Sequence, residues 1–314
     1  MKTLFILNPR SGRNRTRPWL ADVIRDYISS RALDARLEMT KGAGHATQLA
    51  GEAVRTGHAR VVAVGGDGTM NEVAQALVNT PTALALVPCG SGNGLALHLG
   101  LPRALPPALE LAGRASGSVV AVDTATVNGR PFFNVMGVGL DADVSRRFNR
   151  LARRGLPAYA RLAWSALREA RAERCVISAR GQTHALDTLL VAIANSDQYG
   201  NNARIAPGAR VDDGELDLVA VRDIGLAGAA SLAVRLFLGS VHRSPHVVRL
   251  KGPRFTIERN ASGLVHTDGE THTAGARLEI EIQARSLRVV VPDGSRVGLV
   301  PRMSSDEALA LAQP

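Results

Sequence analysis

The chain has 314 residues, 45% of them hydrophobic, which exceeds a single ordinary core and points to two domains. A net charge of +10 admits nucleic acid, an anionic membrane surface or a solubilising coat, but aromatic residues at 4% are too few for base-stacking platforms, so no nucleic-acid partner is expected. No apolar run reaches the roughly 18 to 20 residues of a membrane span, the opening from Met1 to Asn8 turns polar too early for a signal peptide, and Cys89 and Cys175 have neither metal nor disulfide spacing.

Thr3 to Leu7 reads as a strand, and Pro18 opens a helix in which Leu20, Val23, Ile24, Tyr27 and Ile28 recur at helical spacing. Strands follow at Ala35 to Met39, Arg60 to Val64 and Ala83 to Val87, with helices near 44–56, 69–79 and 92–98. Apolar strands alternating with helices predict a parallel sheet, with ligands outside the carboxyl ends of its strands. From about residue 118 the pattern changes to strands separated by turns: Val119 to Val127, the Asn128-Gly129 turn, then Pro131 to Gly139. Ser145 to Arg174 carries nine arginines against two glutamates and reads as a helical insertion broken at Pro157. Beyond it, Tyr159, Leu162, Ala163, Trp164, Ala166 and Leu167 fall near one helical face, which suits either packing on the second domain or an anionic membrane surface. Further strands are expected at Cys175 to Ala179, Thr188 to Ala194, Glu215 to Val221, Arg254 to Arg259 and Arg277 to Val291, consistent with a mainly antiparallel sandwich.

Three loops of the first domain expose backbone N–H groups at strand ends, the property an anion site requires. They are Asn8-Pro9-Arg10-Ser11-Gly12, Gly65-Gly66-Asp67-Gly68-Thr69-Met70-Asn71 and Pro88-Cys89-Gly90-Ser91-Gly92-Asn93-Gly94. Glycine turns also serve ordinary strand-to-helix connections, but three in one α/β domain point to phosphate. A Walker P-loop and a G-x-G-x-x-G in its required context are both missing, which sets aside the NTPase and dinucleotide classes they mark. Asp67 within a phosphate loop is repulsive unless a cation intervenes or it accepts a proton, and both conditions are met in phosphoryl transfer.

Gly65-Gly66-Asp67-Gly68-Thr69-Met70-Asn71-Glu72-Val73, Pro88 to Ala96, Val211 to Leu218 and Asp268-Gly269-Glu270, in that order, resemble the diacylglycerol kinase catalytic-domain family, which includes bacterial lipid kinases, sphingosine kinases and ceramide kinases. The first motif is shared with NAD kinases and 6-phosphofructokinases. The resemblance implies an α/β nucleotide-binding domain of NAD kinase/phosphofructokinase type over 1–121 and a mainly antiparallel β-sandwich lipid-substrate domain over 122–295, with the segment from about 296 to 314 packing back on the first. It also implies ATP and Mg2+ as cofactors and a lipid hydroxyl as acceptor. Carried over by position, Asn8, Pro9, Arg10, Ser11, Gly12, Thr40, Gly65, Gly66, Asp67, Gly68, Thr69, Met70, Asn71 and Ser91 line the ATP site. Glu270 takes the substrate proton, with Asp67 the nearest acid and Asp123 in an Asp–water–Mg2+ network. Asp213 with the carbonyls of Arg210 and Glu215 forms a structural Mg2+ site, and Asp143 meets the polar head of the lipid.

Plainer readings stand beside these: a hairpin turn at Asp268-Gly269, a solvated turn at Asp212-Asp213, and a helix-start acid for both Asp67 and Asp143. Many bacterial diacylglycerol kinases carry aspartate where this chain has Gly94, which leaves the choice of lipid open. An NAD kinase is the rival enzyme; its separate ribose-binding Asn-Glu pair is not found, since Asn71-Glu72 belongs to the first motif. A non-catalytic nucleotide- or membrane-binding regulator is the rival of another class. The expected partners are a lipid substrate and an anionic membrane surface, met peripherally from the cytoplasm, with the choice between monomer and homodimer open.

Overall fold

The computed structural model describes residues 1–114, 118–149, 156–295 and 297. Four parallel strands, β1 (Thr3–Leu7), β2 (Ala35–Met39), β3 (Arg60–Gly65) and β4 (Ala83–Pro88), lie in the order β4-β3-β1-β2. Side chains alternate across a strand, so β1 sends Leu4 and Ile6 to one face and Phe5 and Leu7 to the other. The first pair meets α2 (His45–Arg55) and α3 (Asp67–Leu77) through Ala46, Ala50, Val73 and Leu77. The second meets α1 (Leu20–Ser30) and α5 (Leu105–Gly113) through Leu20, Ile24, Ala108 and Leu109. The glycine-rich loops all leave the carboxyl ends of these strands, and the third enters the short α4 (Gly94–His98).

The rest is mainly antiparallel. Its strands are β5 (Ser118–Val127), β6 (Arg130–Phe132), β7 (Val135–Gly139), β8 (Glu173–Ala179), β9 (Gln182–Ala194), β10 (Leu216–Arg222), β11 (Val247–Gly252), β12 (Arg254–Arg259), β13 (Gly263–Thr267), β14 (Glu270–Ala274) and β15 (Arg277–Val291). They run β14-β13-β7-β9-β8-β12-β15, with β10 joined to β9 and β11, and β5 to β15 and β6. The alternation of β10 sorts its residues in the same way as that of β1. Leu216, Leu218 and Ala220 enter a core with Val191, Ile193, Phe255 and Ile280, whereas Val219 and Val221 face a second cluster roofed by helices. Those helices are α7 (Leu156–Glu169) and α8 (Leu226–Leu238), and α6 (Leu140–Asn149) follows β7.

Two strands belong to both halves. The first part of β15 pairs with β12 and β5; after an irregularity between Gln283 and Leu287 it continues beside β5 and reaches β4, with Val289 opposite Leu84 in parallel. Leu287, Val289 and Val291 lie in the same cluster as Leu4 and Val61, and Val297 packs against that cluster. The remainder of the segment 296–314, expected to pack back on the first domain, lies outside the described residues, as do Arg150, Arg153 and Arg154 of the arginine-rich stretch. Cys89 and Cys175 are free and buried.

Candidate active site

The three glycine loops lock together through backbone and short polar side chains. Asn8 Nδ2 donates to Thr69 Oγ1 at 3.0 Å, the Gly66 N–H donates to Ser11 Oγ at 2.7 Å, and the Arg10 N–H returns to Asn8 Oδ1 at 3.0 Å. A Cβ on Gly90 would lie 2.6 Å from the Gly66 Cα, so the second and third loops touch main chain to main chain, which only glycine permits. Thr69 and Asn71 are buried, Thr40 is half-buried after β2, and Ser91 is exposed at the tip of the third loop. Pro9, Arg10, Gly12 and Gly68 belong to the same loops, whereas Gly65 is buried and Met70 packs into the core beneath them.

Asp67 is the hinge of the arrangement. Its Oδ2 accepts the Asn93 N–H and its Oδ1 the Gly94 N–H, both at 2.8 Å, so the carboxylate of the second loop satisfies the start of α4 on the third. Burial pushes its pKa up, while these donors and its own N–H hold it down. Gly94 is equally constrained. A Cβ there would lie 2.4 Å from Asn134 Nδ2 and 3.0 Å from the Tyr199 carbonyl, so any side chain at this position requires Asn134 to shift.

Glu270 arrives from that second domain. Its Oε1 lies 3.9 Å from the point a Cβ on Gly68 would occupy, over the first-domain turn. Although its side chain is half-exposed, partial desolvation raises its pKa, Arg130 at 3.6 Å lowers it, and Glu72 raises it further. The turn that carries it is held by Asp268, which has φ +51° and accepts the N–H groups of Phe133, Asn134 and Val135 at 2.8, 2.8 and 3.0 Å. Burial pushes the Asp268 carboxyl up to about 6 against those donors. Behind the turn, the Gly269 N–H donates to His266 Nδ1 at 3.3 Å, His266 Nε2 lies 3.0 Å from Asp141 Oδ2, and the Tyr199 hydroxyl donates to the same oxygen at 2.6 Å. The sequence alone assigned no site role to Glu72, Arg130, Asn134, Asp141, Tyr199 or His266. Only the Asp141-x-Asp143 spacing beside a glycine pair carried a signal.

The remaining candidates sit elsewhere. Asp123 is buried and its two oxygens accept the N–H groups of Arg285 at 2.7 Å and Gly214 at 2.8 Å, fastening the irregularity of β15 to the turn before β10. In that turn Asp213 accepts the Glu215 N–H at 3.1 Å and takes Lys251 Nζ at 2.8 Å, Glu215 pairs with Arg180 and Lys251, and Arg210 pairs with Asp212. Lys251 and Arg180 thus supply the positive charge that a divalent cation at Asp213 would bring. Asp143 pairs with Arg146 and, at 2.7 Å, with Arg147, which also holds Glu169 at 2.7 Å. Arg174 of the same cluster meets Asp187 at 3.6 Å, so three of its arginines are already engaged with acids.

The loops fit a nucleotide: their facing surfaces lack Cβ atoms, and Asn71 Oδ1 is a buried acceptor without a partner among the described residues. Asp67 and Glu270 offer the hard oxygen donors Mg2+ takes. The described residues contain no group of three or more His, Cys, Asp or Glu side chains placed to hold a metal, so such a cation would complete its shell with phosphate oxygens and water.

Comparison with known proteins gives two matches along the chain. Residues 2–127 match the diacylglycerol kinase catalytic domain, and residues 134–302 match the YegS C-terminal NAD kinase beta sandwich-like domain. A probable lipid kinase YegS-like of Citrobacter koseri is 29% identical over 300 residues, 92% of this chain and 96% of the relative. A diacylglycerol kinase of Bacillus subtilis is 29% identical over 274 residues, 85% and 88% of the two chains. In fold, the chain resembles a putative diacylglycerol kinase from Bacillus anthracis, with a TM-score of 0.78, 24% identity and coverage of 94% and 96%.

Proposed function

We infer that this chain, which belongs to the diacylglycerol kinase catalytic-domain family and is a lipid kinase in kind, transfers the γ-phosphate of ATP to a lipid hydroxyl. The observation that carries the reading is the placement of Glu270, from one domain, over Gly68 in the phosphate-type loop of the other. The loops from Asn8 to Gly12, Gly65 to Asn71 and at Ser91 bind and orient the nucleotide, and Asp67 keeps the second and third in register. Glu270 accepts the proton of the lipid hydroxyl as its oxygen bonds to the γ-phosphorus and the bond to the β-phosphate oxygen breaks, releasing ADP. Mg2+ bound with the nucleotide supplies neutralisation of phosphate charge. Arg130 holds Glu270 toward the ionised form the base needs, while partial desolvation and Glu72 keep it basic.

The acceptor is a lipid with a hydroxyl beside an apolar body, met at an anionic membrane surface from the cytoplasmic side. No helix among the described residues is long and apolar enough to cross a membrane, so contact with lipid would be peripheral. Glu270→Gln is expected to lower turnover about 100-fold to 10,000-fold with ATP affinity unchanged. Mass spectrometry of total lipids after incubation with labelled ATP reads out both the loss and the acceptor. A variant as fast as the wild type removes Glu270 from the role of base.

A further inference from the structure

A surface helix normally turns polar residues to water, and α8 has only Ser231 and Arg235 to offer. Leu232 is buried, and Ala229 and Leu236 pack partly on the helix-roofed cluster. The opposite stripe of Ala230, Ala233, Val234, Phe237 and Leu238 is exposed, with Val234 at 59%, Phe237 at 46% and Leu238 at 73%. Leu167 and Ala170, in and just beyond α7, pack on the same cluster, and α7 exposes Trp164 at 46% between the exposed Arg161 and Arg168. From residue 224 to 257 the chain contains no Asp or Glu. Arg249, Lys251 and Arg254 of that stretch pair with Asp217, Asp213 and Glu281, whereas Arg235 lies on α8 itself and the exposed His242, Arg243 and His246 follow the end of the helix, with Asp223 the acid nearest its start in sequence.

We propose that the α8 stripe, with Trp164 of α7, is the surface on which the protein lies in the headgroup boundary of an anionic bilayer. Charge complementarity selects this occupant. A second copy applied to the same patch would oppose Arg235 and Arg243 with their own kind, whereas an anionic leaflet attracts them. The position also serves the lipid-kinase reading on which the choice of a membrane rests. The Arg204 N–H donates to the Leu236 carbonyl at 2.8 Å, and the same loop returns through Asn201, whose N–H donates to the Gly92 carbonyl at 3.2 Å. One loop thus joins the docking helix to the third glycine turn.

The test needs neither ATP nor turnover, so a failure here stays separate from a failure of the kinase assignment. Co-sedimentation with phosphatidylcholine vesicles, with and without phosphatidylglycerol, is compared for the wild type, for the double variant Phe237→Ser with Leu238→Ser, and for Ala233→Glu. The wild type is expected to partition onto the phosphatidylglycerol vesicles, less so as salt shortens the screening length from about 8 Å at physiological strength. Both variants should lose at least about tenfold in partitioning, the factor carried by one large apolar side chain no longer buried, with unfolding midpoints unchanged. Trp164 fluorescence, read in a Trp19→Phe background, should shift to the blue on binding. Equal partitioning of wild type and variants overturns the proposal. So does conversion of a wild-type dimer to monomer by the same changes with vesicle binding intact, since a second copy would then be the occupant.

Discussion

The carboxylate of Asp67 joins two loops, which changes what its substitution measures. An acid in a phosphate loop was legible as chemistry, but the two N–H groups it satisfies come from residues 26 and 27 positions on, a distance at which sequence pattern is silent. Asparagine is isosteric, yet its amide can accept one of these bonds while its NH2 faces the other donor. Asp67→Asn is therefore expected to lose about 1 to 3 kcal/mol of stability as well as phosphoryl transfer, measured by urea unfolding beside activity; wild-type stability would show that the two bonds are not formed in solution. Asp268 gives a pH signature. Its folded pKa of about 6 lies above the ordinary 3.8, so the folded chain binds this proton more tightly than the unfolded one. The stability it contributes is fully present below about 3.8 and is lost as pH rises through about 6, roughly 2 to 3 kcal/mol in all. Urea titrations from pH 4 to 7 should show that decline in the wild type and a flatter profile in Asp268→Asn; parallel profiles would place the carboxyl in the ordinary range.

Elements were legible where one face was apolar and the other covered. Strands β1, β3 and β4 and helices α1 to α3 follow directly from buried runs and helical spacing, and β2, β12 and β15 from alternation. The elements left unread have physical reasons. Helix α5 opens with Pro106 and Pro107, which look like breakers but sit where the helix needs no N–H donor. The hairpin of β13 and β14 carries only Leu264, Val265 and Ala274 as apolar residues among Thr, His and Glu, too few for a recognisable alternating run. Helix α8 has only Ser231 and Arg235 as polar residues, which hides its period. The Asp212-Asp213 turn was legible as a paired-acid site, and what was not is Lys251, which reaches it from β11. With that ammonium in place, added Mg2+ is expected to leave the melting temperature of the wild type unchanged, whereas Lys251→Met, which leaves the acids with Arg180 and Arg210, should become measurably stabilised by Mg2+. A wild type already stabilised through Asp213 would show that the cation, not Lys251, completes this turn.

At the scale of the whole molecule, the site exists only because the two halves are held in one register. The β-sandwich brings Glu270, the α/β sheet brings Gly68, and the joint between them is covalently continuous through β5 and β15. Side chains reinforce it. His98 of α4 meets Asp197 at 2.7 Å, and although burial works against it, the His98 bond and charge together with Arg204 hold the Asp197 carboxyl below its usual range. Asn195 Nδ2 donates to the carbonyls of Asp123 and Phe133 at 2.8 and 2.9 Å, tying β5 to the segment before β7. Melting the sandwich would strip β12 and β5 from β15 and expose Leu287 and Val289, which the first domain needs for its own core. The halves should therefore unfold as one unit. The two tryptophans allow the test, since Trp19 precedes α1 in the first domain and Trp164 lies on α7 in the second. Trp164→Phe leaves Trp19 as the reporter and Trp19→Phe leaves Trp164; both are half-exposed, so neither change should cost much. The expected result is one urea transition with the same midpoint and slope from either reporter and from far-ultraviolet circular dichroism. Two separated midpoints would mean that the shared strands do not couple the domains, and that the placement of Glu270 over Gly68 must be maintained by bound ligand instead of by the fold.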